Sequence, residues 1–493
     1  LGRGQSLLTR QVGVVGVRSA FVSESFAEPS RRLSGLPALA LVAGSMLGIG
    51  IFISPHQVAA LVHDEWVFVL MWLGGGLTAL CGALCLAELG AMMPRSGGDY
   101  SYLRLGWGNG VAFAAGWLQL LAIFPGSLAT IALATATYQL PVLFGPDMAG
   151  TISILGMDVP CTHLAAAFII VGLTAVNHVG VKLSGWLQIV VTMIPLVVLL
   201  VASLAVLFAP GGPPPPPEPI STGSAGSDGS DGSAASSIGG VALAYLPIYF
   251  AYSGWNAAIY IGAEIHNPGR NLPRALIGGT VAVTALYVVL CFGFLEIFGL
   301  EGLAGVGEAG TASAQALFGD RGIAIVTSLI FLAMMGSLNG SVLTGSRVGF
   351  AMARQGDCLE AVGELDARYG TPSFALWLQA ALALALLLLG SHLESLIAYT
   401  TSAMLITGTL TVLTVVVLRH KLRELERPYR TWLYPIPPLV YGLSSITVLV
   451  VLAVALDPSV LFAFAWFAAA LLFYGLRRRR RRAKSGNLDG ESN

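Results

Sequence analysis

Apolar residues run along this chain in long, nearly uncharged blocks joined by short polar segments, rather than in the one-faced alternation of a water-soluble fold. Twelve blocks reach the length of a membrane-crossing helix, which needs about 20 apolar residues. They lie near 36–62, 66–93, 108–139, 163–181, 184–209, 239–264, 273–300, 321–353, 372–391, 393–418, 433–456 and 458–476. The pattern predicts an all-α polytopic membrane protein with 12 transmembrane helices. Composition agrees: 55% of the 493 residues are hydrophobic and 11% charged, where a soluble chain has about a quarter charged.

The joints carry the charge, and they carry it on one side. With the N-terminus in the cytoplasm, the alternate loops collect 25 of the 26 basic residues and leave Arg321 alone outside. A miscounted helix scrambles such a bias, so the positive-inside rule supports twelve spans with both termini cytoplasmic. A net charge of zero averages the two faces and decides nothing.

Residues 1–34 hold scattered arginines without a continuous apolar core of signal-peptide length, and are expected to form a disordered cytoplasmic arm. Residues 477–493 open with six consecutive arginines and form a basic tail, either a positive-inside anchor or a contact for anionic lipid head groups. Residues 210–238, with five prolines from Pro213 to Pro217 followed by Gly, Ser and Asp, read as an extracellular linker. Five spans (35–209) precede it and seven follow. An odd number per unit inverts the second unit, 239–420, relative to the first, which is the condition for an inverted repeat. Residues 421–476 supply helices 11 and 12.

Two spans contain their own interruption. Span one reads Gly44-Ser45-Met46-Leu47-Gly48-Ile49-Gly50-Ile51-Phe52, and glycine in a helix costs about 1 kcal/mol relative to alanine. Span six reads Phe250-Ala251-Tyr252-Ser253-Gly254-Trp255-Asn256, with Pro247 just upstream. Backbone opened at membrane depth survives only where it faces protein or a water-filled cavity. Paired interruptions at corresponding positions point to a transport site. A break near Gly48–Gly50 gives an outer half-helix whose N–H groups and positive dipole end suit a carboxylate. Carbonyls at Met46–Leu47 and Phe250–Ser253 suit an ammonium group. A zwitterionic amino acid matches both. The competing reading of Gly44 and Gly48 is a helix-packing pair, which also suits Gly74 to Gly76.

Five motifs in this order resemble the amino acid–polyamine–organocation transporter superfamily, above all its L-type and related neutral amino acid transporters. They are GSMLGIGIFISP (44–55), AELGAMMPRSGGDYSYL (87–103), FAYSGWNAAIYIGAEIHNPGRNLPRA (250–275), GSLNGSVLTGSRVGFAMARQG (336–356) and LRHKLRELERPYR (418–430). The resemblance implies a LeuT-type 5+5 inverted repeat with discontinuous helices 1 and 6, plus two extra helices. It implies that Gly48, Ile49 and Gly50 offer N–H groups to the substrate carboxylate. Carbonyls of Met46, Phe250 and Ser253 then receive the ammonium. Phe250 resembles an aromatic gate, and Gly254, Trp255 and Asn256 shape the wall. Asn339 fits either a helix–helix hydrogen bond or a supporting role at the site, and Tyr399 with Thr400 to Ser402 makes span ten polar but uncharged. Two positions depart from the family pattern: Ile49 replaces a small hydroxyl residue, and Pro195 stands where many relatives carry a lysine. The coupling ion is therefore open between proton, sodium and none. Cys161 lies closer to its helix than the cysteine that bridges L-type proteins to a glycoprotein subunit, so no accessory subunit is expected.

Other candidate chemistry is sparse. Cys81 and Cys85 share a helix face without further ligands and the seven histidines have no ligand spacing, so no metal or other cofactor is expected. No nucleotide loop or nucleophile motif occurs, and neither enzymatic activity nor a nucleic-acid partner is expected; the partners are the bilayer and a small amino acid. Glu88, Arg95, Glu264 and Arg347, with Arg354, gather at the predicted cytoplasmic ends, either as an inner gate of breakable ion pairs or as interfacial charges. Glu296 stands alone in span seven, as an interfacial carboxylate or a proton relay. With no acidic residue in the central thirds of spans one, three, six, eight or ten, the expected function is secondary-active transport of neutral amino acids. The alternatives are a proton-coupled permease for cationic amino acids or polyamines, and a sensor that binds amino acids without moving them.

Overall fold

Amides and hydroxyls are buried within an apolar interior here, and many large apolar side chains face outward, as a soluble protein would not allow. Asn177, Gln188 and Asn339 are buried, while Phe168 is 80% and Leu388 is 83% exposed. A computed structural model describes residues 31, 33–154, 157–207, 238–389 and 393–490. Nearly all of the arm expected at 1–34 and of the linker at 210–238 lies outside them.

The helices follow in chain order. They are α1 (Gly35–Met46), α2 (Gly50–Leu61), α3 (Glu65–Met92), α4 (Gly98–Gly106), α5 (Asn109–Leu118), α6 (Phe124–Tyr138), α7 (Leu140–Phe144), α8 (Cys161–Val179) and α9 (Val181–Leu207). After the linker come α10 (Ile238–Ala251), α11 (Ala257–Tyr260), α12 (Pro268–Ala304), α13 (Ala309–Arg354), α14 (Ser373–Leu389), α15 (Leu393–Lys421), α16 (Ile436–Val454) and α17 (Pro458–Gly490). A π-helical turn, Gln119–Ile123, joins α5 to α6. One antiparallel hairpin, β1 (Thr151–Ile154) with β2 (Met157–Pro160), leads into α8. Among the described residues, ten helices or helix pairs are long and apolar enough to cross a membrane.

Local chemistry sets the ends. Asp64 caps α3 by accepting the Val67 N–H at 2.9 Å. Glu308 caps α13 by accepting from Gly310 and Thr311 at 2.8 Å each. Such caps satisfy N–H groups that a helix leaves without partners. Where α1 stops, Leu47 leaves helical geometry at ψ 75° and α2 restarts at Gly50. Where α10 stops, Gly254 takes a left-handed φ of +97° that favours glycine.

The interior joins through polar contacts between helices. Asn339 on α13 bonds Asn177 on α8 at 2.8 Å and Gln188 on α9 at 2.7 Å, and Ser184 bonds Asn177 at 2.8 Å. Gln188 continues to the Gly336 carbonyl at 3.0 Å and the Ala40 carbonyl of α1 at 3.4 Å. The amides of Asn177, Gln188 and Asn339 are thereby paired, which removes the penalty of an unsatisfied polar group in an apolar interior. Gly44 belongs to this packing, because a Cβ there meets Thr192 and Gln188 of α9.

Candidate functional site

The two helix breaks meet at the backbone. A Cβ on Gly50 falls 2.4 Å from the Ala251 Cα, and one on Gly254 falls 2.6 Å from the Ser45 carbonyl oxygen. Glycine at both positions lets α1–α2 and α10–α11 cross without intervening side chains. Tyr287 on α12 straps them together: its hydroxyl lies 2.5 Å from the Met46 carbonyl oxygen and 3.1 Å from that of Ala251. Ser54 of α2 adds a bond to the Pro247 carbonyl at 3.0 Å.

Beside this crossing lies a cavity of about 80 Å³, enough for several waters at about 10–15 Å³ each by this kind of measure. Ser45, Phe124, Ser127, residues 253–257, Ser337, Ser341 and Thr344 line it, with Met404, Thr407 and Gly408 from α15. Phe250, Ser253, Gly254, Trp255 and Asn256 all contribute to the wall, as the span-six motif leads one to expect. Buried hydroxyls of Ser45 and Ser127 have no partner there.

The span-one residues fall differently. Met46, Gly48, Ile49 and Gly50 are not among the lining residues. The Met46 carbonyl already accepts the Gly48 N–H at 2.8 Å and the Tyr287 hydroxyl. Both of its lone pairs and the Gly48 N–H are therefore engaged within the break in this structure. Ile49 caps α2 and its carbonyl accepts from Phe52 and Ile53, each at 3.0 Å. The first N–H groups of α2 remain those that an α-helix leaves without intrahelical partners. The Phe250 carbonyl accepts from Ser253 N–H at 3.0 Å, which uses one of its two lone pairs.

Asn339 takes the helix–helix role, in the network described above. Tyr399 is 39% exposed and packs against Phe462, away from the cavity. The span-ten residues that do line the cavity lie further on, at Met404, Thr407 and Gly408.

Three of the four charges expected as one gate fall in two separate clusters. Glu264 and Arg347, both buried, form a bidentate pair with Nε–Oε1 at 3.0 Å. Glu88 faces other partners: Arg419 at 2.5 Å, Arg427 at 3.1 Å and the Thr431 N–H at 2.8 Å. It ties the end of α3 to the LRHKLRELERPYR segment. Backbone bridges close the chain nearby. Leu33 pairs with Glu264 and His266, and Gly97 donates to the Tyr260 carbonyl at 3.2 Å.

Several cavity residues escaped the sequence reading, an acidic one among them. Asp99 in α4 is buried and lines the cavity, with Oδ2 accepting from the Tyr260 hydroxyl at 2.8 Å and Gln119 Nε2 at 3.3 Å. Burial pushes its carboxyl up to about 7, opposed by the Tyr260 hydrogen bond and the neighbouring Asn256 amide. Its signal was the Gly97-Gly98 pair before it. Both glycines have positive φ, and the turn they make returns the chain into the bundle.

Comparison with known proteins fits this architecture. A model of the amino acid permease family, described as "Amino acid permease", matches residues 33–476. The chain belongs to the amino acid permease family. The permease is 29% identical over 450 residues to the serine/threonine exchanger SteT of Bacillus subtilis, covering 90% of this chain and 96% of that one. It is 28% identical over 447 residues to the b(0,+)-type amino acid transporter 1 of Mus musculus, covering 90% and 86%. With the large neutral amino acids transporter small subunit 2 of Oryctolagus cuniculus it shares 31% over 433 residues, covering 85% and 77%. These relatives are transporters, and this permease is a multi-pass membrane transporter of the same superfamily rather than an enzyme.

Proposed function

We propose that this permease moves neutral amino acids by alternating access, as a secondary-active permease or exchanger. In this reading it has twelve spans in a LeuT-type 5+5 inverted repeat, with helices 1 and 6 interrupted and two helices appended. Ten spans come from the long apolar helices. The others are the interrupted α10–α11 and the shorter α14. Both termini are cytoplasmic, following the arginine bias.

The observation that carries the reading is the meeting of the two breaks beside a polar cavity. The substrate carboxylate sits at the start of α2, on N–H groups of Ile49 and Gly50, where the helix dipole favours an anion. The ammonium faces the Phe250 and Ser253 carbonyls and the Ser45 hydroxyl. Phe250 and Trp255 cover the side chain, with Asn256 on the wall. Glu264 and Arg347 close the cytoplasmic end. In this reading the permease works without an accessory glycoprotein subunit, because Cys161 at the start of α8 lies closer to its helix than a bridging cysteine would.

A cationic amino acid or polyamine is the second reading, and the Asp99 carboxyl in the cavity favours it. Against it, a carboxyl raised to about 7 is largely neutral below that pH and offers a cation little charge. Proteoliposomes decide. Labelled serine, chosen from the name of one relative, is expected to exchange across the membrane, with excess unlabelled arginine or putrescine competing poorly. Flux of arginine or putrescine without serine flux supports the second reading, and serine binding without flux supports a sensor.

A further inference from the structure

One end of the cavity is a carboxyl group with too few donors. Asp99 is 2% exposed and lines the cavity. Its Oδ2 has two donors, from Tyr260 and Gln119, yet its Oδ1 has none. The Gln119 Oε1 is also buried without a partner. These two atoms are the unused acceptors of one carboxyl–carboxamide pair, since Gln119 Nε2 already donates to Oδ2. A carboxylate has no donor to offer a second acceptor. A proton on Oδ1 makes it a donor and removes the negative charge that burial disfavours. Gln119 opens the π-helical turn between α5 and α6, and such turns recur at functional sites.

The surroundings suit a proton. The titratable groups acting on or affected by Asp99 are phenols: Tyr260, Tyr249, Tyr441 and, on its own helix, Tyr102. Phenols ionise near pH 10 and are neutral at pH 7. The nearby cations have other tasks. Arg347 on α13 pairs with Glu264, Arg95 acts on Tyr102, and Lys421 on α15 donates to the Gly106 carbonyl at 2.6 Å. The next residue of α4, Tyr100, bonds Asp357 at 2.8 Å. Among the described residues, Asp99 forms no salt bridge.

We propose that Asp99 is a proton-binding site of the transport cycle: closure of the cavity loads one proton from water onto its Oδ1, and opening to water returns it. Only an O–H bond forms and breaks. The inference rests on the amino acid transport reading and supplies the ion that Pro195 left undetermined. Hydration of the open cavity lowers the carboxyl toward its ordinary value of about 3.9, so the proton leaves when the substrate does.

Counterflow of labelled serine in proteoliposomes, at equal pH on both sides, tests this. Wild-type flux is expected to fall by about tenfold per pH unit above about 7. In Asp99→Asn, whose amide supplies a donor at every pH, the flux that remains is expected to show no such fall. A wild type that moves serine equally at all pH values overturns the proposal, as does an Asp99→Asn variant with the wild-type profile. Should Asp99→Asn fail to fold, Asp99→Glu decides: a displaced midpoint supports the site, and an unchanged one overturns it. Absence of serine flux in the wild type at every pH instead defeats the transport reading on which the site depends.

Discussion

Gly50 and Gly254 set how closely the two breaks approach, and single methyl groups there test the crossing. In Gly50→Ala the added carbon falls 2.4 Å from the Ala251 backbone. Such overpacking typically costs about 1–3 kcal/mol, and the helices relieve it by separating. The variant is expected to insert normally yet lose about tenfold or more of its serine counterflow; unchanged counterflow with normal expression contradicts the crossing. The glycines of span one were visible as a weakened helix, but their separate partners were not. Gly44 faces α9, Gly48 faces Ser337 on α13, and Gly50 faces Ala251. Sequence spacing gives faces of a helix and not the neighbour each face meets. Asp99 was hidden for a related reason: after Pro94 and Arg95 it looks interfacial, and only the turn at Gly97–Gly98 carries it inward. Its raised carboxyl value means the folded state holds more protons than the unfolded chain between about pH 4 and about 7. That contribution to stability declines across this window and stays lower above it. Asp99→Asn is therefore expected to melt higher than the wild type above about pH 7, an advantage that shrinks at acidic pH.

Two interrupted elements act as one unit because a third holds them. Removing the Tyr287 hydroxyl leaves the Met46 and Ala251 carbonyls short of a donor, at about 1–3 kcal/mol for a buried unsatisfied group. Tyr287→Phe is expected to lower the melting temperature and slow exchange, whereas Tyr399→Phe, on the exposed contact with Phe462, changes neither. Equal effects contradict the strap. The interruptions themselves were legible, since glycine, serine and proline stand where helix formers belong. The strap was not. A tyrosine in an apolar helix carries no mark of which carbonyl its hydroxyl reaches, and Tyr287 and Met46 stand 241 positions apart.

Across the whole molecule, a few buried charges join elements inside an interior that is otherwise largely apolar. Glu264→Gln leaves the Arg347 guanidinium buried beside a neutral amide, and breaking such a pair typically costs about 3–5 kcal/mol. The variant is expected to melt well below the wild type, and Arg347→Gln added to it to recover part of the loss; a loss that simply doubles contradicts a direct pair. The arginine bias that set the expected topology was readable from sequence, while the sorting of Glu88 and Glu264 onto different arginines was not. Glu88 meets Arg419 across 331 positions, a pairing that only folding determines. Under the proposed function, the crossing of the two breaks holds the substrate. An experimental structure of the permease saturated with the neutral amino acid it exchanges tests it most directly. Density for the carboxylate at the start of α2, with the ammonium toward Phe250 and Ser253, is the predicted result, and density confined to any other part of the molecule contradicts it.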